Sequence, residues 1–215
     1  MESNTITSHQ NPKIKSLLSL QQKSSERRKS GLFIVEGRRE LLHCIEAGYQ
    51  IDTVFYCGEL TLQGGIHPEG YELIVDGEKH IIRGCKCFAV TKDIYNKVAY
   101  RGGTEGIIAE VKVRSTTLSD LKLGENPLIV VLESVEKPGN LGAILRSADA
   151  AGVDAVVVCD PLTDLYNPNL IRSSIGGIFS VPCVACSSEE CIHFLKEHNI
   201  QILTPSFRIP TFIII

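Results

Sequence analysis

The sequence predicts an α/β protein in two parts, and three observations carry that prediction. Strand-like apolar runs alternate with amphipathic helical stretches along the chain. A polar, turn-rich stretch near residues 114–127, with Arg114-Ser-Thr-Thr-Leu-Ser-Asp120 and Gly124-Glu-Asn-Pro127, divides it. The run Leu128-Ile-Val-Val-Leu132 is apolar without interruption, as in a parallel strand covered on both faces. The two parts are residues 1–115, a small α/β domain, and residues 126–215, a parallel-sheet domain.

In the first part, residues 11–30 read as a helix, with Ile14, Leu17, Leu18 and Leu20 forming an apolar stripe among basic residues. Leu32–Val35 is a short buried strand, and Glu36-Gly37 opens a helix through about Ala47. Residues 53–56, 71–75, 87–90 and 106–113 are further strands. In the second part, strand 128–132 leads to a helix over about 141–151, which Gly152 ends at the usual place for a C-cap glycine. Strand 155–158, a short helix over 168–174, strand 179–182, a helix over 188–198 and strand 200–203 complete the alternation.

Composition narrows the function classes. The 215 residues are 43% hydrophobic and 22% charged, enough apolar side chain to offset the entropy of ordering a core. No apolar run approaches the roughly 18–20 residues that cross a bilayer. The opening Met1-Glu-Ser-Asn-Thr5 lacks a signal-peptide pattern, so the expected location is the cytoplasm, with no membrane partner. The eight cysteines then read as reduced structural thiols, not as a disulfide framework. Cys183-Val-Ala-Cys186 has metal spacing, but Cys191 and His193 complete a ligand set only loosely, so no metal is expected.

Charge is uneven. The net of −3 hides a basic stretch over residues 12–39, where Lys13, Lys15, Lys23, Arg27, Arg28, Lys29, Arg38 and Arg39 face only Glu26 and Glu36. Such a patch concentrates polyanions, although a solvated helix face has the same composition. Lys13, Lys15, Arg27, Arg28, Lys29, Arg38 and Arg39 are the candidate polyanion-binding residues.

The densest chemical signal lies after strand 128–132. The turn Lys137-Pro-Gly-Asn140 enters a helix whose N-terminal N–H groups face the carboxyl end of a parallel strand, the usual ligand side of such sheets. Gly139 and Gly142 would let backbone approach a ligand, and Arg146 could aim a guanidinium at a phosphate. Glu133 at the strand end is a lesser candidate, and Asn140 could equally be a helix cap.

The stretch Lys137-Pro-Gly-Asn-Leu-Gly-Ala-Ile-Leu-Arg-Ser-Ala-Asp-Ala-Ala-Gly-Val153 resembles the first signature of the SpoU/TrmH family, with Asn140, Gly142, Ile144, Arg146, Ala148 and Gly152 matching its pattern. Asn167–Pro182 is similar to the family's connecting segment with its Ser-x-Gly-x-x-Phe…Pro pattern. Ile6–Lys15 and Gly31–Leu42 resemble the opening of its substrate-binding domain. The resemblance implies an RNA ribose 2′-O-methyltransferase of the SPOUT class. It implies an α/β-knot catalytic domain, S-adenosylmethionine as methyl donor, RNA (ribosomal RNA first) as substrate, and a homodimer. By the same resemblance Asn140 orders the catalytic pocket, and Arg146 engages the target phosphate and eases deprotonation of the ribose 2′-hydroxyl.

Two later family signatures, Gly-x-Glu-x-x-Gly and Ser-Leu-Asn-Val-Ser, form most of the donor pocket and thread the knot, and neither occurs in this sequence. After Gln201–Pro205 the chain reads Ser-Phe-Arg-Ile-Pro-Thr-Phe-Ile-Ile-Ile215. The expectation is therefore a catalytic domain incomplete at its C-terminal end, by frameshift or truncation, with no cofactor-binding residue to name. The alternative function is an RNA-binding module without catalysis. A third is a nucleotide-binding α/β protein using the Gly139–Gly142 turn.

Overall fold

A computed structural model describes residues 5–61, 64–100 and 105–204 and the backbone of residues 213–214. Helices α1 (Pro12–Gln22) and α2 (Ser24–Ser30) lead into β1 (Leu32–Glu36), α3 (Arg38–Glu46) and β2 (Ile51–Tyr56). An antiparallel meander of β3 (Gly64–His67), β4 (Gly70–Val75) and β5 (Glu78–Arg83) follows. Strand β6 (Lys86–Ala89), helix α4 (Lys92–Val98) and strand β7 (Ile107–Lys112) close this half. Its main sheet has the order β1-β7-β2-β6. A polar connection with one 3₁₀ turn at Leu118–Asp120 leads to the second half.

That half holds β8 (Ile129–Glu133), α5 (Pro138–Ala151), β9 (Ala155–Cys159), α6 (Pro168–Ser174), α7 (Gly177–Ser180), β10 (Cys183–Cys186) and α8 (Ser188–Glu197). The three longer strands pair in parallel in the order β10-β9-β8. Strand β9 is buried throughout, and its side chains alternate between two clusters. Val156 and Val158 pack with α5 residues Leu141, Leu145 and Ala148, while Val157 and Cys159 pack with α8 residues Cys191 and Leu195. The two-residue strands β11 (Leu203–Thr204) and β12 (Ile213–Ile214) pair antiparallel.

The mixed α/β class and the parallel second sheet match the sequence reading; several elements differ. Strand β8 is not covered on both faces, because it lies at the edge of the described sheet with Val131 and the preceding Leu128 exposed. Residues 11–30 form two helices because Lys23 is extended, at φ −120° and ψ 115°. The strand expected at 179–182 is displaced to Cys183–Cys186. Residues 177–180 make a helical turn after Gly176, at φ +84°. Pro182, with no N–H to donate, contributes its carbonyl to Val156 at 2.9 Å just before the ladder begins. Of the strand expected at 200–203 only Leu203 is in a strand, while Ile200 and Ile202 pack against the cluster around Cys191 and Leu195. Strands β3 and β5 and helix α4 escaped the sequence reading. The largely exposed β5 is held by its backbone pairing with β4 and carries little apolar periodicity. The C-terminal stretch 205–212, and the side chains of the closing isoleucines, lie outside the described residues.

The first sheet is buried on both faces. On one face Ile34, Phe55 and Ile108 pack with Ile14, Leu17 and Leu20 of α1 and Ile94 and Tyr95 of α4. On the other, Phe33, Val35, Val54 and Ala109 join Leu41 and Cys44 of α3 and then continue into Leu141, Leu145, Ile178 and Phe179 of the second half. The two halves therefore share one core. The Phe33 ring stacks on Tyr166 at 4.3 Å between centroids, and Tyr49 meets Phe179 edge-on at 5.3 Å.

Arg27 departs from its expected place on an RNA-binding face. Its side chain is 4% exposed; Nε donates to Asp164 Oδ2 at 2.6 Å and Nη1 donates to the carbonyl oxygens of Leu20 and Gln21. A cation there satisfies the last carbonyls of α1 and ties α2 to the loop before α6. A guanidinium buried this way is not presented to a polyanion.

Two outcomes follow from these contacts. Arg27→Ala is expected to destabilise the fold by about 3–5 kcal/mol, because it strands the Asp164 carboxylate, whereas Arg28→Ala stays within about 0.5 kcal/mol; urea midpoints compare the two. Glu110 lies 8% exposed on β7, and burial, then the Asp52 charge, raises its pKa from 4.5 to about 7. The folded state holds a proton that the unfolded chain releases, so stability should fall as pH rises from about 4.5 to about 7. Glu110→Gln should flatten that decline, a gain on the order of 3 kcal/mol above neutrality, measured by denaturation across the same pH range.

Candidate RNA-modifying site

Strand β8 ends at the exposed Glu133, and the chain turns at Ser134, whose φ is +52° and whose N–H donates to the Cys159 carbonyl at 2.9 Å. That bond fixes the turn to the carboxyl end of β9. Lys137 is the N-cap of α5, with no side chain bonding the helix start, and Pro138 occupies the first turn, where a missing N–H is tolerated. The N–H groups of Asn140 and Leu141 both donate to the Lys137 carbonyl, at 3.0 and 3.3 Å. Asn140 is thus inside the helix and not its cap. At the far end Gly152 takes the left-handed conformation, φ +64°, that stops the helix as the sequence predicted.

Asn140 and Arg146 are both exposed. Six residues apart on a helix, they lie about 120° from each other around its axis and about 9 Å along it. The buried arc of Leu141, Leu145 and Ala148 faces the sheet, so both project from the outward arc. Among the described residues neither side chain has a hydrogen bond or an ion pair. Arg146 is therefore a cation held on a rigid helix with its charge unspent.

The two glycines read as a turn lie within α5 and have different reasons. A Cβ on Gly139 would meet nothing within 4 Å, so this position is open to a ligand or solvent. A Cβ on Gly142 would lie 1.9 Å from Ser173 Oγ and 2.9 Å from the Ser173 carbonyl carbon. Gly142 is buried against α6 and serves helix packing, not the ligand approach read from the sequence. The family-like segment after it behaves alike. A Cβ on Gly176 would lie 2.5 Å from the His43 ring of α3, and Gly177 packs on the Leu145 backbone.

The remaining basic candidates fall into two sets. Lys13, Lys15, Arg28 and Lys29 are exposed on α1 and α2, Lys13 with its ammonium 4.3 Å from the Phe88 ring centroid. Arg38 pairs with Glu105 at 3.3 Å and Arg39 with Asp76 at 3.2 Å, so each carries a neighbouring acid. Arg172 was not singled out in the sequence. It lies over the Tyr100 ring at 4.8 Å and lines a cavity of about 270 Å³ with Glu36, Glu40 and Glu105. Nothing local in the sequence marks it, because the cavity forms only where the halves meet.

The sequence model of the SpoU rRNA Methylase family matches residues 127–207, and that of the MRM3-like substrate binding domain matches residues 11–109. A solved RNA 2′-O ribose methyltransferase superposes with a TM-score of 0.70 at 33% identity, over 91% of this chain and 70% of that one. The chain belongs to the SpoU/TrmH family. The family's 23S rRNA (guanosine(2553)-2′-O)-methyltransferase RlmP of Bacillus subtilis is 25% identical over 197 residues, 92% of this chain and 71% of that protein. An AdoMet-bound rRNA methyltransferase from Sinorhizobium meliloti has the same fold, with a TM-score of 0.75 at 22% identity over 94% of this chain and 71% of that one. Other relatives are longer, and the chain spans 54% of one and 39% of another.

SpoU methyltransferases use S-adenosylmethionine. Beside the free edge of β8 lies a cavity of about 480 Å³ whose lining includes Ile129, Val131, Ile192 and Leu195, with Glu133 and Lys196 as its charged members. Among the described residues no glycine lines it, so these residues offer no close backbone cradle to the amino-acid end of the donor. These residues do not by themselves make a donor pocket.

The packing assignment of the glycines has a measurable consequence. Gly142→Ala is expected to cost about 1–3 kcal/mol by forcing α6 away from α5. Gly139→Ala, in open space at a helix start, should be neutral or gain up to about 1 kcal/mol. Urea denaturation of the two variants separates these outcomes.

Proposed function

We propose that this chain serves the S-adenosylmethionine-dependent 2′-O-methylation of ribose in ribosomal RNA, in the cytoplasm and as a homodimer. The observation that carries the reading is Arg146, solvent-facing on α5, the helix that follows β8, with no acid paired to it among the described residues. Membership of the SpoU family supplies the reaction class. The eight cysteines are all free thiols, which suits a reducing compartment.

A ribose 2′-hydroxyl is a poor nucleophile near neutral pH. The donor supplies an electrophilic methyl group on a sulfonium, and the protein must lower the cost of the alkoxide that develops as the hydroxyl loses its proton. A guanidinium does this electrostatically, and its fork also suits the adjacent phosphate. Asn140 would contribute a neutral amide to orient the nucleotide. The exposed Lys13, Lys15, Arg28 and Lys29 would hold the surrounding RNA by its backbone, through contacts that follow shape and charge and not base sequence. A purely RNA-binding role without catalysis is not favoured, because the family relatives carry methyltransferase names.

Methyl incorporation from labelled S-adenosylmethionine into ribosomal RNA transcripts tests the reading. Transfer to a ribose 2′-oxygen is expected, lost in Arg146→Ala with RNA binding kept. Charge reversal of Lys15, Arg28 and Lys29 should weaken RNA binding and lower its salt slope by about one unit for each phosphate contact removed. RNA binding without any methyl transfer, or wild-type transfer by Arg146→Ala, would overturn the catalytic assignment.

A further inference from the structure

Three thiols that RNA methylation does not use come together on the α8 side of the parallel sheet. Cys159 ends β9 and Cys186 ends β10, and the register pairs them directly across the two strands. Ser187 caps α8 in a reciprocal bond with Glu190, which fixes the helix start and brings Cys191, four residues on, over the strand pair. The sulfurs of Cys159, Cys186 and Cys191 all lie within 4.8 Å of one another. The spacing in the sequence suggests a different pair, Cys183 with Cys186. Strand alternation puts Cys183 on the opposite face, packed towards α5, so the structure groups Cys186 with Cys191 of the following helix and with Cys159, which is distant in the chain.

The geometry is close to that of a metal centre. With zinc–sulfur bonds of about 2.3 Å, tetrahedral sulfurs stand about 3.8 Å apart, within reach of small rotamer adjustments from the observed cluster. An all-sulfur donor set selects soft or borderline ions over magnesium or calcium. Burial, and then the neighbouring Cys159 sulfur, pushes the Cys186 thiol up to about 11 and the Cys191 thiol up to about 12. Without a cation the Cys186 and Cys191 thiols remain protonated and pack as small apolar groups; an added divalent ion would supply the charge that favours thiolates. Cys159 and Cys191 also line the cavity of about 480 Å³ beside β8, which gives a bound ion one open side.

We propose that Cys159, Cys186 and Cys191 form a three-thiolate site for a divalent cation of the zinc class, with the fourth position opening to water in the cavity beside β8. Binding forms three metal–sulfur bonds and releases three thiol protons to solvent, with no electron transferred. The ion would clamp the carboxyl ends of β9 and β10 to the first turn of α8.

Titrating the reduced full chain with Co²⁺ tests this, because thiolate coordination to cobalt gives sulfur-to-metal charge-transfer absorption. Saturation at one equivalent, reversal by Zn²⁺, loss of the band in Cys186→Ser and its retention in Cys183→Ser and Cys85→Ser are expected. No band, or a band unchanged in Cys186→Ser, would overturn the site. Because substitutions at the buried Cys159 and Cys191 could disturb folding, the wild-type chain provides a second readout. Zinc should slow alkylation of Cys186 relative to Cys85, and equal labelling of both with and without zinc would also overturn the proposal.

Discussion

The inner face of the first sheet leaves water completely only when the second half joins α3 and the β3–β5 meander against it, and the rest of the structure depends on that constraint. Phe33, Val35, Val54 and Ala109 project on that face, and α3 covers only part of it. Helices α5 and α7 complete the cover, with Phe33 stacked on Tyr166 and Phe179 nearby at 6.2 Å. Burial of this kind contributes roughly 25 cal/mol per Å² of apolar area, so separating the halves would expose a large part of the core of each. Helices α1 and α2 and the Arg146 helix are therefore held in one fixed relation by the shared core.

Close approach at the joint is permitted by missing side chains. Gly142 admits Ser173, Gly176 admits His43, and Gly177 admits the backbone around Leu145. Residues that resemble catalytic-family signatures are thus divided by role: the glycines pack α5 against its neighbours, while Asn140 and Arg146 project from the face that this packing leaves outward. A signature can combine chemistry with the geometry that aims it.

Chain neighbours can have opposite fates for the same reason. Arg27, Arg28 and Lys29 are consecutive cations, yet Arg27 turns inward to Asp164 while the other two stay in solvent. A buried ion pair is a weak source of net stability, but removing one partner is costly, so Arg27 fixes orientation more than it strengthens the fold. The basic stretch read from the sequence is real as composition; its electrostatic face is smaller than its residue count.

The sequence by itself determined the elements whose signals are local. The apolar runs of β8 and β9 and the Gly152 stop of α5 follow from periodicity and terminal residues, which act over a few neighbours, whereas the start of α5, read near Leu141 after a turn, lies at Pro138. Only the tertiary structure decided where Arg27 points, why Gly142 must be glycine, where β10 begins, and that Cys186 meets Cys159 and Cys191 and not Cys183. Each of those depends on a partner far along the chain. Local spacing sets which face of an element a side chain occupies, but what lies across that face is fixed only when the two halves close on one core.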